Sequence, residues 1–222
     1  MNSSNIKYFL ALLPALLIGS PIMAESLTVQ LTRAADGEPL QDAVIELIPA
    51  SPMATVTPID NVTVDQVDKE FVPGVTVVVK GSHVAFPNSD NILHHVYSFS
   101  PAKSFDIPLY GKNDNVDFVE TFDDAGVVEI GCNIHDWMLA YIYVAESAMA
   151  AISDQQGIAL IDNVLPGTYT LKIWHALAEE SEGTEQIIQV EPGASATINA
   201  SLELGRDRRI RRAPSTSRSR YR

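Results

Sequence analysis

After its first two dozen residues the chain alternates apolar and polar positions over short stretches, and nearly every stretch stops at Gly, Pro, Asn or Asp. Ser26–Thr32 alternates and ends in Ala35-Asp36-Gly37-Glu38-Pro39. Ala43–Ile48 is closed by Pro49, and Val75–Lys80 and Ser82–Phe86 flank Gly81. Further runs cover His95–Phe99, Val127–Cys132, Ala140–Val144, Ile158–Ile161, Thr168–Trp174, Gln186–Val190 and Ser195–Leu202. A period of two puts alternate side chains on opposite faces of a strand, and the Val, Ile, Thr and Tyr that dominate here suit a pleated surface. No apolar stripe of helical period has a useful length. The pattern predicts an all-β protein, a sandwich or Greek-key barrel. Ser26–Ala50 supplies only about two strands, too few for independent stability. They are expected to pair with strands from Ala148–Leu204.

The two ends differ from the body. Residues 1–24 carry Lys7, an apolar run from Tyr8 to Ile18, a break at Gly19-Ser20-Pro21 and a small Ala24. That is the layout of a Sec-type signal peptide, and the run falls short of the roughly 20 apolar residues that span a bilayer. A bacterial periplasmic or secreted location follows as the expectation, with no transmembrane span. At the other end, eight of the 15 basic residues are arginines between Arg206 and Arg222. Residues 206–222 are read as a basic disordered tail suited to anionic lipid or an acidic partner. Glu25–Gly205 keeps six bases against 27 acids, within an overall formal charge of −13. Such a body offers no grip on nucleic acid.

A single cysteine excludes a disulfide framework, a Cys₄ zinc site and an iron–sulfur cluster held by one chain. In an oxidising compartment a lone thiol needs burial or a metal to protect it. Cys132, His135 and Met138 stand at C-x-x-H-x-x-M spacing between two predicted strands. Thiolate, imidazole and thioether are three of the four donors of a mononuclear copper site, and Met argues for copper over zinc. The missing imidazole is expected from Asn88-Ser89-Asp90-Asn91-Ile92-Leu93-His94-His95. Strand alternation allows only one of His94 and His95 to face the site.

From about Val62 to Ala145 the chain resembles a cupredoxin, most closely the amicyanin and small plastocyanin-like type. The likeness rests on Phe86-Pro87-Asn88, Leu93-His94-His95-Val96 and Cys132-Asn133-Ile134-His135-Asp136-Trp137-Met138. It extends to exported proteins labelled methylamine-utilisation proteins. The resemblance implies one copper ion, with His94, Cys132, His135 and Met138 as its expected ligands, and one-electron transfer to a redox protein partner; four protein donors leave no open equatorial position for a substrate, so no enzymatic activity is expected. It also implies that Asn88, six residues before His94, braces the ligand loop. Pro101–Thr121 departs from the pattern as a long polar insertion at the rim. Thr28–Thr32, Gly37–Val44, Asp154–Gly157, Leu165–Lys172 and Val190–Gly193 resemble a carboxypeptidase regulatory-like module, a small transthyretin-like sandwich. The expected division is 25–50 plus 147–205 for that sandwich and 51–146 for the cupredoxin. Two other functions compete with electron carriage: copper binding and delivery, and a metal-free β interaction module.

Overall fold

In the computed structural model the described residues are 25–51, 56–114, 118–178, 183–193 and 195–206. Residues 1–24, read above as a signal peptide, and the tail from residue 207 onward lie outside them. The described residues form strands and no helix. In chain order these are β1 (Glu25–Arg33), β2 (Val44–Pro49), β3 (Val62–Thr63), β4 (Asp65–Val67), β5 (Glu70–Val72), β6 (Val75–Val79), β7 (Ser82–Ala85), β8 (His94–Ser100) and β9 (Lys103–Tyr110). They continue as β10 (Val119–Phe122), β11 (Gly126–Gly131), β12 (Leu139–Ala145), β13 (Ala150–Ile152), β14 (Ile158–Val164), β15 (Gly167–Trp174), β16 (Thr184–Val190) and β17 (Ala196–Leu202).

The strands pack as two sandwiches. In the outer one, sheet β14-β1-β17 faces sheet β13-β2-β15-β16 across a shared core. β1 runs antiparallel to β14 and parallel to β17, and β2 pairs with β13 and β15. The alternation of Ser26–Thr32 sends Leu27, Val29 and Leu31 into that core. At roughly 1.5–3 kcal/mol for each fully buried side chain, these three contribute about as much as a small domain's whole stability. β1 therefore cannot detach without unfolding the outer sandwich. In the inner one, sheet β6-β12-β11-β8-β9 faces sheet β10-β7-β3, and Val78, Val84, Phe86, Val96, Phe122, Val128, Ile130 and Ile142 fill the space between.

β12 joins the two. Ala140, Ile142 and Val144 point into the inner core, while Tyr141, Tyr143 and Ala145 pack with Val44, Val79 and Trp174 in a seam between the sandwiches. Burial on both faces explains why Ala140–Val144 reads as a nearly continuous apolar run. The seam also buries Glu46. Its carboxylate accepts hydrogen bonds from Tyr143 Oη (2.9 Å) and from the backbone N–H of Glu146 (2.7 Å) and Ser147 (2.8 Å).

Pro101–Thr121 was expected as a polar insertion, and much of it is strand. β9 pairs antiparallel with β8 and sends Ile107 and Tyr110 into the inner core. Its other side chains are mostly exposed, with Pro108 among them. An outer strand meets the core through so few side chains that its pattern resembles a loop.

Candidate metal centre

The donors converge from two segments. His94 opens β8, and its ring is fully buried at 0 % exposure. The segment Cys132–Met138 links β11 to β12 and is tied by its own backbone. Cys132 N–H donates to Met138 O (3.3 Å), His135 N–H to Cys132 O (3.4 Å), and Met138 N–H to His135 O (2.9 Å). This tight turn brings positions three apart back to one side. Cys132 and Met138 are buried at 3 % and 2 % exposure in the same core cluster, while His135 is half-buried.

Cys132 Sγ lies 3.9 Å from His94 Nδ1 and 3.7 Å from His135 Nδ1. The three donor atoms fall within 4.8 Å of one another, and the two imidazole rings are 4.9 Å apart by centroid. A first-row metal held at about 2.3 Å from sulfur and about 2.0–2.1 Å from nitrogen, at trigonal to tetrahedral angles, sets the donors about 3.6–3.8 Å apart. The 3.7 Å sulfur–nitrogen spacing falls in that span, and the 3.9 Å spacing lies just beyond it. The residues present fit a metal ion: one thiol and two imidazoles converge, a set suited to copper, and Met138 is buried at the end of the same loop.

β8 separates the two candidate histidines. His94 faces Cys132, and His95 lies on the other face with Tyr97, its Nε2 paired with Asp106 Oδ1 at 3.0 Å. Tyr97 in turn covers Gly131, where a Cβ would come within 3.1 Å of the tyrosine ring. Asn88 spends its amide hydrogens on Ile92 O (3.0 Å) and Tyr110 O (2.9 Å), and its Oδ1 accepts Asp90 N–H (3.0 Å). It thus braces the turn leading into His94 and the end of β9. Tyr110 donates to Phe86 O (2.6 Å) and accepts from the buried Gln66 amide, and burial pushes its phenol up to about 12.

Other contacts were not legible in the pattern. Asp90 Oδ2 lies 2.7 Å from His94 Nε2. The same carboxylate accepts the backbone N–H of Asp68 (2.7 Å) and Lys69 (2.8 Å), the two residues of the β4–β5 turn. Burial opposes its ionisation, but the Lys69 N–H, His94 and the Asp68 N–H together hold it below the usual carboxylate value. Lys69 O accepts the Trp137 indole N–H at 3.1 Å, and the Trp137 ring lies 5.3 Å from that of His135. The His135 imidazole is pulled below its ordinary value, first by burial and then by the His94 and Lys69 charges, with Asp90 opposing. Asp90 stands four residues before His94, a spacing that no strand period singles out.

No protein-family model matches this chain, and no curated protein does. Among solved structures, a purple cupredoxin from Nitrosopumilus maritimus is 20 % identical, with a TM-score of 0.34, over 38 % of this chain and 100 % of that one. A reduced Cu(I) form of an amicyanin variant is 20 % identical, with a TM-score of 0.35, over 47 % and 99 %. A copper-containing nitrite reductase from Thermus scotoductus is 23 % identical, with a TM-score of 0.37, over 54 % of this chain and 28 % of that one. All three scores lie below 0.5, too low to establish a shared fold.

Proposed function

We propose that this chain is an exported one-electron carrier holding a single copper ion in the inner sandwich, with His94, Cys132, His135 and Met138 as its ligands. The observation that carries the reading is the 3.7 Å and 3.9 Å spacing of two imidazole nitrogens about one buried thiol. A bound copper ion supplies a Cu(II)/Cu(I) couple, which thiolate and thioether bias toward Cu(I) and the imidazoles accommodate as Cu(II). The protein's part is to hold the donors still. His94 is fixed at the start of a paired strand, and Cys132 and Met138 are fixed by burial and by the loop's backbone bonds. His135 is the least buried of the four and presents the edge that a redox protein partner can reach. Four protein donors leave no equatorial position for a substrate, so the role is electron carriage and not catalysis.

Residues 51–146 form the cupredoxin unit in this reading. Residues 25–50 and 147–205 form the transthyretin-like unit that carries it, and residues 1–24 direct the chain to a bacterial periplasm or the exterior. The test is the visible spectrum after adding Cu(II) to the mature chain. An intense sulfur-to-copper charge-transfer band is expected, with reversible one-electron cycling. Cys132→Ser should abolish the band, because a hydroxyl cannot supply the sulfur donor. A band that persists in that variant, or none in the wild type, rejects the site.

A further inference from the structure

We propose that Asp90 is the positioning residue of this centre. Its carboxylate holds His94 in the Nε2–H tautomer, aims Nδ1 at Cys132 and biases the site toward Cu(II), while the β4–β5 turn clamps that carboxylate to the ligand loop. This rests on the copper reading above.

The hydrogen bonds give the tautomer. Asp90 Oδ2 is 2.7 Å from His94 Nε2, so the proton lies on Nε2 and the Nδ1 lone pair is free to face Sγ at 3.9 Å. A ligating imidazole whose other nitrogen donates to a carboxylate is oriented and made more basic, and losing such a partner typically costs 10–100-fold in metal affinity. His94 is completely buried and the Asp90 side chain is only 13 % exposed. At that burial the negative charge is poorly screened and favours the higher charge state of a nearby ion.

The clamp explains an otherwise costly backbone. Asp68 and Lys69 both adopt left-handed conformations, with φ of 53° and 62°. Aspartate visits that region more readily than most residues, but lysine does not, and at Lys69 it persists only where the surroundings impose it. Here it directs two successive N–H groups at Asp90, at 2.7 and 2.8 Å. The carbonyl of the same Lys69 accepts the Trp137 indole proton, next to Met138 in the ligand loop. β4 is further pinned to the His94 approach by Gln66 N–H to Pro87 O (3.3 Å) and Ser89 N–H to Gln66 O (3.1 Å). One two-residue turn therefore bonds both Asp90, which reaches His94, and Trp137 in the Cys132–Met138 loop.

The experiment uses the mature chain with Asp90→Asn, Asp90→Ala and Asp90→Glu, and two readouts. The first is the ring-nitrogen NMR of His94 without metal, at about pH 8.5, above the ordinary histidine value. Wild type should show the Nε2–H tautomer alone, and Asp90→Ala a mixture. The second is the reduction potential of the copper-loaded protein. Asp90→Asn keeps an oxygen for His94 but loses the charge. Its Cu(II)-to-Cu(I) affinity ratio should fall about tenfold, a rise of about 59 mV for one electron. The visible band should remain, and Asp90→Glu should move the potential back toward wild type. An unchanged tautomer in Asp90→Ala overturns the positioning role, and a ratio within threefold of wild type in Asp90→Asn overturns the charge bias. If Asp90→Ala does not fold, the tautomer is read in Asp90→Leu, which fills the same space without an acceptor, and Asp90→Asn carries the potential. If wild type shows no copper band, the copper reading fails, and the metal-free tautomer still decides the role of Asp90.

Discussion

Trp174 ends β15 and closes the seam between the sandwiches, so Trp174→Ala tests whether they are mechanically one body. The indole is 4 % exposed, and its centroid lies 5.4 Å from Tyr141 and 6.0 Å from Tyr143, both on β12. Truncating a buried Trp to Ala costs about 3–5 kcal/mol, the larger values where neighbours cannot collapse into the gap. Tyr143 is held by its hydrogen bond to Glu46, and Val44 lies within the strand ladder, so collapse is restricted and the upper half of the range applies. For a chain of this size each kcal/mol moves Tm by about 2–4 °C, which gives a fall of roughly 8–20 °C. Cys132 and Met138 belong to a different core cluster, so the visible band of the copper-loaded variant should keep its shape below the transition. The assay is calorimetry in parallel with a melt followed in that band. Ile187→Ala, at a residue 76 % exposed, is the control and should change stability by at most about 0.5 kcal/mol. A fall of less than about 3 °C in Trp174→Ala, or a melt in which the band's transition stays put while another moves, would refute the shared seam.

The remaining predictions concern the centre and the buried acid. His94→Ala should destroy the charge-transfer spectrum, while His95→Ala, which loses only the pair with Asp106, should leave it largely intact; the reverse pattern in copper spectroscopy would place the wrong face of β8 inward. Burial, partly offset by bonds from Ser147 N–H, Tyr143 and Glu146 N–H, raises the Glu46 carboxyl above its usual 4.5, with the Glu146 charge adding to the rise. The folded state thus holds this proton more tightly than the unfolded one. The associated stability is complete below about pH 4.5 and is lost as pH climbs through the raised folded value. Glu46→Gln, whose amide can serve the same partners, should remove that loss. Urea unfolding across the window should show the variant gaining on wild type as pH rises, and a constant difference would reject the account.

Strands with one buried face were legible because their alternation is unbroken, as in Leu27, Val29 and Leu31. The Cys132–Met138 loop was legible because three donor types at three-residue steps form a rare combination. Other parts were hidden for identifiable reasons. β4 and β5 are three residues each, and their left-handed turn is built from Asp68-Lys69, without the glycine that usually marks such a turn. β9 contributes few side chains to the core, and β12 loses its alternation between two cores. Asp90 stands outside any strand, and only the fold of the preceding loop brings it to His94.

The pairing of β1 with β17 has a consequence for the order of events in biosynthesis. Leu27 lies opposite Ala196, and Arg33 opposite Leu202, so the first strand waits for the last before its sheet is complete. Loop closure over such a span is slow compared with local pairing. The strands of the inner sandwich, by contrast, are all available once Ala145 has emerged. A chain emerging N-terminus first therefore completes the inner sandwich while Glu25–Arg33 is still unpaired with β17, and His94, Cys132 and His135 can come together before the outer sandwich closes. A chain interrupted short of residue 196 would keep all four donor residues and leave the core-facing side chains of β1 without their second neighbour, open to aggregation.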